Sequence, residues 1–391
     1  MPVTIKRDRF FWTVALQTFV VNFFLGGFGP AQPLLRADQH TSLAVAGLHG
    51  TAMGIASIFA GLSIPRLTHR FGRADTGWLG LIIFSFGLLA LAFVQPIQLT
   101  IAAAFVASFG CSTVINSFVV SLNGHYGKLA PIAVGQANGV SSAGYVVGTT
   151  TIGTIAQTAP DYWRMGLVLI LPLALYLYFF RRERTEEGHT PSADGPQGGK
   201  LSIAFWITWT GFVATIGTEF ATAFWAADLV RNRTGATAAI STIAIVALGV
   251  GMAIGRFFGG RLMHRLAADT QLQIVLGVQA VGFFGLWLSH QLAISLFMLL
   301  VSGLGISMQF ALTSLRLINQ SAGRPELAIG RSSLAAGLAI AGAPFLLGVL
   351  GDNYGISRAY LMVPVMILIA SLIVKFVPAH IPQAELDKFE I

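Results

Sequence analysis

Glu219 holds the greatest chemical promise in this 391-residue sequence, because it is the one acid expected well inside an apolar run. An ionised carboxylate at the centre of a bilayer costs roughly 2.5 to 3.5 kcal/mol even on lenient insertion scales, so an acid placed there is a functional candidate by default. Thr208, Thr215, Glu219 and Thr222 are spaced 7, 4 and 3 apart. On a helix they fall within about 60° of one another and form one polar stripe. A carboxyl group on such a stripe, facing a water-filled cavity, is suited to take up and release a proton. Glu219 is therefore the expected proton-coupling residue, and the other fifteen acids, Asp38, Asp228 and Asp352 among them, are expected in loops, tails or span ends.

Amides and an indole supply the other candidates. Ser112, Asn116 and Asn123 share one helical face, as do Gln309, Thr313 and Arg316. Gln17 and Asn22 are the polar offerings of the first apolar run, and Trp225 could stack on a ring-shaped solute. The expected substrate contacts are Gln17, Asn22, Asn116, Asn123, Thr215, Thr222, Trp225 and Gln309, a set suited to hydroxylated or zwitterionic molecules; polar side chains in membranes equally serve as glue between helices. Arg316 is expected to snorkel at a span end.

Other chemistries find no support. Cys111 is the single cysteine, so no intrachain disulfide can form. His69, His125 and His264 lack metal-ligand spacing, and no metal is expected. The segment GRFFGG at 255–260 lacks the Gly-Lys-Ser/Thr of a phosphate loop. With no nucleophile, base and oxyanion arrangement either, the chain does not read as an enzyme. No cofactor is expected, and a proton gradient is the expected driving force.

These residues must be positioned by helices in lipid. The chain is 54% hydrophobic and only 10% charged, with a mean hydropathy of +0.72, against about 25% charged residues in a soluble domain. Apolar runs predict spans at roughly 10–34, 43–65, 77–95, 97–122, 131–157, 163–180, 201–229, 236–259, 271–289, 291–317, 328–350 and 357–378. The basic start MPVTIKRDRFFW is followed by too long an apolar stretch for a signal peptide, so the first span is expected to be retained.

With the N-terminus inside, nineteen of the twenty-four Lys and Arg residues fall on the cytoplasmic side, and Arg36, Arg164, Arg231, Arg233 and Arg358 fall outside. Basic clusters between apolar runs read as topology and not as nucleic-acid binding. The expected partners are thus a small-molecule substrate and the lipid bilayer, with the chain working as a monomer. The expected organisation is an N-terminal six-helix half at 1–182, a polar cytoplasmic linker at 183–200 and a C-terminal six-helix half at 201–391, both termini cytoplasmic, in a bacterial inner membrane.

An internal repeat supports two related halves. PRLTHRFGR at 65–73 and GRLMHRLAA at 260–268 share Arg-Leu-x-His-Arg at matching points, which predicts the same tight turn twice. These residues resemble the signature of the major facilitator superfamily, Gly-x-Leu-x-Asp-Arg-x-Gly-Arg after the second span. Here Leu67, Arg70, Gly72 and Arg73 keep the pattern, while Pro65 replaces the Gly and His69 the Asp. The second copy keeps Gly260 and Arg265 and again carries His, at His264. The resemblance implies twelve transmembrane helices in two pseudo-symmetric halves, an all-α membrane fold, with His69, Arg70, Gly72, Arg73, Arg256, His264 and Arg265 in conformational signature loops.

Within the superfamily, TIGTEFATAFWAADLV at 215–230 is similar to the seventh span of the fucose-proton symporter group through Gly217, Glu219 and Trp225. The resemblance implies a secondary active transporter, a proton symporter, moving a small polar organic solute such as a sugar-like molecule by alternating access. Two alternatives stay open. The 29 Phe residues could line the cavity of an exporter of drugs or amphipathic compounds, and the fold could serve a non-transporting membrane sensor.

Overall fold

The computed structural model describes residues 6–126, 130–179, 200–237, 240, 243–263, 266–322 and 324–378. Among them every regular element is helical. Twelve membrane helices run in two sets of six. The first set is α1 (Arg9–Gln39), α2 (Leu43–Phe71), α3 (Arg73–Phe93), α4 (Ile97–Tyr126), α5 (Ala130–Thr158) and α6 in two pieces, Trp163–Val168 and Leu171–Phe179. The second is α7 (Ile203–Thr234), α8 (Ile243–Met263), α9 (Ala268–Leu288), α10 in two pieces, Leu292–Ile306 and Gln309–Asn319, α11 (Pro325–Tyr354) and α12 in two pieces, Ile356–Ala359 and Met362–Phe376. In hydrocarbon every backbone N–H and C=O must be satisfied internally, which leaves the helix as the open-ended solution for such a chain. The polar segment expected to join the halves lies outside the described residues apart from Lys200.

Local chemistry sets several helix starts. Asp8, Ser42 and Ser202 each accept a hydrogen bond from the backbone N–H three residues on, at Phe11, Val45 and Phe205. Asp8 also receives Tyr126 Oη–H at 3.0 Å and lies 2.7 Å from His125 Nε2, which ties the start of α1 to the end of α4. Partial burial works against its charge, yet the hydrogen bonds from Phe11, His125 and Tyr126 hold its carboxyl below 3.8.

Helices overrun the predicted spans at α1, α2, α4, α7 and α11, because hydropathy measures the lipid-crossing portion while a helix continues into the polar interface. The signature segment is corrected accordingly. Residues 65–71 are the last turns of α2, and the turn itself is Gly72, whose φ of 84° suits a residue without a side chain. Arg70 is exposed, its guanidinium 5.5 Å from the Phe71 ring centroid. The side chains of His69 and Arg73, and the whole of His264 and Arg265, lie outside the described residues.

Within the first half α1 lies against α5 at backbone distance: a Cβ on Gly26 would stand 2.1 Å from Tyr145 O. Between the halves α2 crosses α11 as closely, since a Cβ on Gly54 would stand 2.2 Å from Ala341 N. Pro344 sits inside α11, and around it Trp225 Nε1–H donates to Pro344 O at 2.8 Å and Thr51 Oγ1–H to Ala341 O at 2.9 Å.

Candidate functional site

By length and mean hydropathy, nine helices among the described residues qualify outright as membrane spans, and Ile243–Gly259 of α8 adds a shorter apolar stretch. Helices α5, α7 and α8 come together where the two halves face each other, α8 packing on both of the others.

On α7, Glu219 has a side chain 19% exposed and lies 3.7 Å from Arg256 Nη2 of α8. Arg256 Nη1–H reaches Ser142 Oγ of α5 at 3.4 Å. Tyr145, one turn further along α5, lies within electrostatic reach of both Glu219 and Arg256 and packs its ring on Gly249 of α8, where a Cβ would come within 2.9 Å of it. The chain Glu219–Arg256–Ser142 thus starts in the second half and ends in the first. Asn22 of α1 shares a helical face with Gly29, whose Cβ would meet Ala223 O of α7 and Ile245 of α8 at 2.9 Å. That face points Asn22 toward the same junction, its amide donating meanwhile to Thr18 O at 3.0 Å.

At the end of the bundle where α1 finishes, the halves are pinned together. Arg36 of α1 forms an ion pair with Asp228 of α7, whose side chain is 5% exposed. Asp352 of α11 accepts from the N–H groups of Leu43 at 2.9 Å and Ala44 at 2.8 Å, so one half caps a helix of the other. Phe28 and Phe224 meet across the same region, ring centroids 5.5 Å apart. Asp228 was expected at a span end; α7 instead continues past it to Thr234, and the carboxylate is buried within the helix against a counter-charge.

The predicted stripe on α7 divides. Thr208, Thr215 and Thr222 are buried inside the second half, where Thr208 and Thr215 border a small cavity with Thr313 and Arg316. Thr215 satisfies its hydroxyl on Phe212 O at 2.9 Å, and Thr222 O accepts Tyr360 Oη–H at 3.1 Å. Only Glu219, at the edge of the stripe and with a longer side chain, turns to the junction. Trp225 is 0% exposed and serves as a pin to Pro344 O. Gln309 is likewise enclosed, donating to Gln279 Oε1 at 2.6 Å, while Gln279 donates to Thr218 Oγ1 at 3.0 Å. Gln17 is buried among α1, α3 and α4, near Gly77 and Ser117. Packing inside a half thus accounts for Gln17, Thr215, Thr222, Trp225 and Gln309.

Asn116 is half-buried and donates to Ser112 O at 2.8 Å; the side chain of Asn123 lies outside the described residues. Arg316 does not snorkel: it is 1% exposed, ion-paired with Asp269 and hydrogen-bonded to Val377 O at 2.6 Å. Arg256, expected in a cytoplasmic signature loop, belongs to the α8 helix and to the site. Sequence reasoning overlooked Ser142, Tyr145 and the Arg36–Asp228 pair. The available signal was a charge next to apolar residues, since such a charge must be paired or solvated.

A family model described as Major Facilitator Superfamily matches residues 14–327. Among solved structures, the chain is similar to the xylose transporter XylE from E. coli in a partially occluded inward-open conformation, at 14% identity, TM-score 0.74, covering 95% of this chain and 99% of that one. It is similar to a bacterial homologue of the human lysosomal transporter Spinster, inward-facing and occupied, at 14% identity, TM-score 0.72, covering 96% and 97%. The major facilitator transporter FucP in the outward conformation is similar at 15% identity, TM-score 0.61, covering 94% and 98%. Among curated proteins none matches the sequence.

Proposed function

From the premise that this chain belongs to the major facilitator superfamily, we propose that it is a secondary transporter that moves a small polar organic solute by alternating access, driven by protons taken up at Glu219. The observation that carries this reading is the junction itself. A carboxylate, an arginine, a tyrosine and a serine from both halves converge where a solute would have to pass. A proton arriving at Glu219 removes the charge that holds Arg256, and Arg256 also reaches Ser142 of the opposite half. Protonation thereby acts on a contact between the halves, which is what a coupled carrier requires.

The pinned end, with Arg36–Asp228 and the Asp352 caps, is taken as extracytoplasmic, consistent with cytoplasmic termini in an inner membrane. The bundle would then be closed outside, and the higher TM-scores against inward-facing structures than against the outward one support that assignment. The working unit is a monomer, with each half lining one side of the path.

Purified protein in liposomes carrying an internal pH dye tests the reading, with sugars, organic acids, amino acids and lipophilic cations added in turn. One solute class should move protons with the wild type and not with Glu219→Gln. Solute flux without proton movement, equal in the two proteins, would remove Glu219 from the coupling role.

A further inference from the structure

Arg256 is held loosely for a charge inside a helical bundle. Its side chain is 38% exposed, its distance to Glu219 is 3.7 Å, and its bond to Ser142 is 3.4 Å long, whereas charge-assisted hydrogen bonds settle near 2.7–2.9 Å. Arg316 and Arg36 are different: each is fastened to a carboxylate, with Arg316 almost wholly buried. An arginine with an open guanidinium beside a removable counter-charge is built to exchange one anion for another.

Resting on the proton-coupled reading above, we infer that the solute is a small organic monoanion, a carboxylate, which takes Glu219's place on Arg256 when Glu219 is protonated. Charge conservation gives the argument its force. In the empty site ionised Glu219 and Arg256 sum to zero. With a proton on Glu219 and a carboxylate on Arg256 the sum is again zero. Proton alone leaves the site at +1 and anion alone leaves it at −1, and an uncompensated charge is costly to carry through a closed, poorly hydrated state. Only the empty and the doubly loaded carriers reorient readily, so transport is one proton with one monoanion and electroneutral.

The groups around the site fit this exchange. Facing Glu219 are Arg256 from α8 and Tyr145 from α5, while α1 presents the neutral Asn22. Arg256 is thus the charge that a carboxylate would meet, and a planar guanidinium matches a carboxylate in two parallel hydrogen bonds. Ser142 and Asn22 offer neutral partners for hydroxyl groups, which suits a hydroxylated acid as well as a plain one.

The test uses liposomes with an internal pH dye and the membrane potential clamped by potassium and valinomycin. The probes are pyruvate, lactate, gluconate, succinate, glucose and glycine, and binding is followed in parallel by thermal stability of the detergent-solubilised protein. At least one of the three monocarboxylates should acidify the lumen, at a rate that changes less than about twofold with potential. Arg256→Gln should lower that rate about 100-fold while keeping the wild-type elution profile and melting temperature, and Arg256→Lys should restore part of it. Glu219→Gln should exchange labelled carboxylate across the membrane without net acidification. If glucose drives acidification that survives Arg256→Gln, the carboxylate class falls and proton coupling stands. If a carboxylate crosses through Arg256 with no pH change, and equally well in Glu219→Gln, proton coupling falls and the anion site stands. If no monocarboxylate moves or stabilises the protein, the inference is overturned.

Discussion

Asp228→Asn should loosen the end of the bundle where α1 finishes. The wild-type carboxylate is 5% exposed and pairs with Arg36, itself 23% exposed, across the two halves. The substitution keeps the volume and removes the charge, which leaves the guanidinium facing a neutral amide whenever that end closes. Removing one partner of a fully buried pair costs about 3–5 kcal/mol. Arg36 is partly solvated, so about 2–3 kcal/mol is the appropriate figure here. At 1.4 kcal/mol per factor of ten, this shifts the closed-to-open ratio by roughly 30- to 150-fold. Spin labels at Gln95→Cys in the first half and Asn353→Cys in the second, both exposed, read the separation, with the buried Cys111 replaced by Ser. The variant should add a longer-distance population that the wild type lacks. Arg36→Gln should do the same, and the double variant should be no worse than the worse single one, because both remove one interaction. A distance distribution unchanged in both single variants would refute the claim that this pair holds the halves together.

Gly54→Ala should weaken the α2–α11 crossing by about 1–3 kcal/mol, since its Cβ would stand 2.2 Å from Ala341 N, while Gly139→Ala, where a Cβ meets nothing within 4 Å, should not lower the melting temperature and should raise it slightly, alanine being the better helix former. Equal behaviour of the two would argue against that backbone approach. Asp8→Ala should cost about 1 kcal/mol through loss of the α1 cap. Because the folded carboxyl titrates below 3.8, the deficit should persist at pH 5 and shrink only as pH falls below 3.8 toward the folded value. A deficit that vanishes already at pH 5 would contradict the cap's assignment.

How much of this was legible in the residues depends on the solvent each residue meets. Hydrocarbon demands long helices with internally satisfied backbones, so the apolar runs alone announce the twelve spans, and the repeated Arg-Leu-x-His-Arg announces the two related halves. Glu219 stood out for the same reason, because a carboxylate in lipid is too expensive to be incidental. The threonines of its stripe could not be sorted that way. A hydroxyl can bond to its own helix, as Thr215 does, and so carries little signal about which neighbour it faces. Hydropathy also misjudged Asp228, because the helix outlasts the apolar window that locates it.

What the sequence by itself determined was the solvent, the number of crossings, the pseudo-symmetry and one candidate acid, Glu219. Only the tertiary structure decided the partners: Arg256 and Ser142 for Glu219, Arg36 for Asp228, Pro344 for Trp225, Gln279 for Gln309. The physical reason is range. The energy that places a helix in lipid is summed over that helix's own residues, whereas the energy of an ion pair or a hydrogen bond depends on which surfaces two distant segments turn toward each other. Arg36 and Asp228 lie 192 residues apart in the chain, and no local pattern records that they meet.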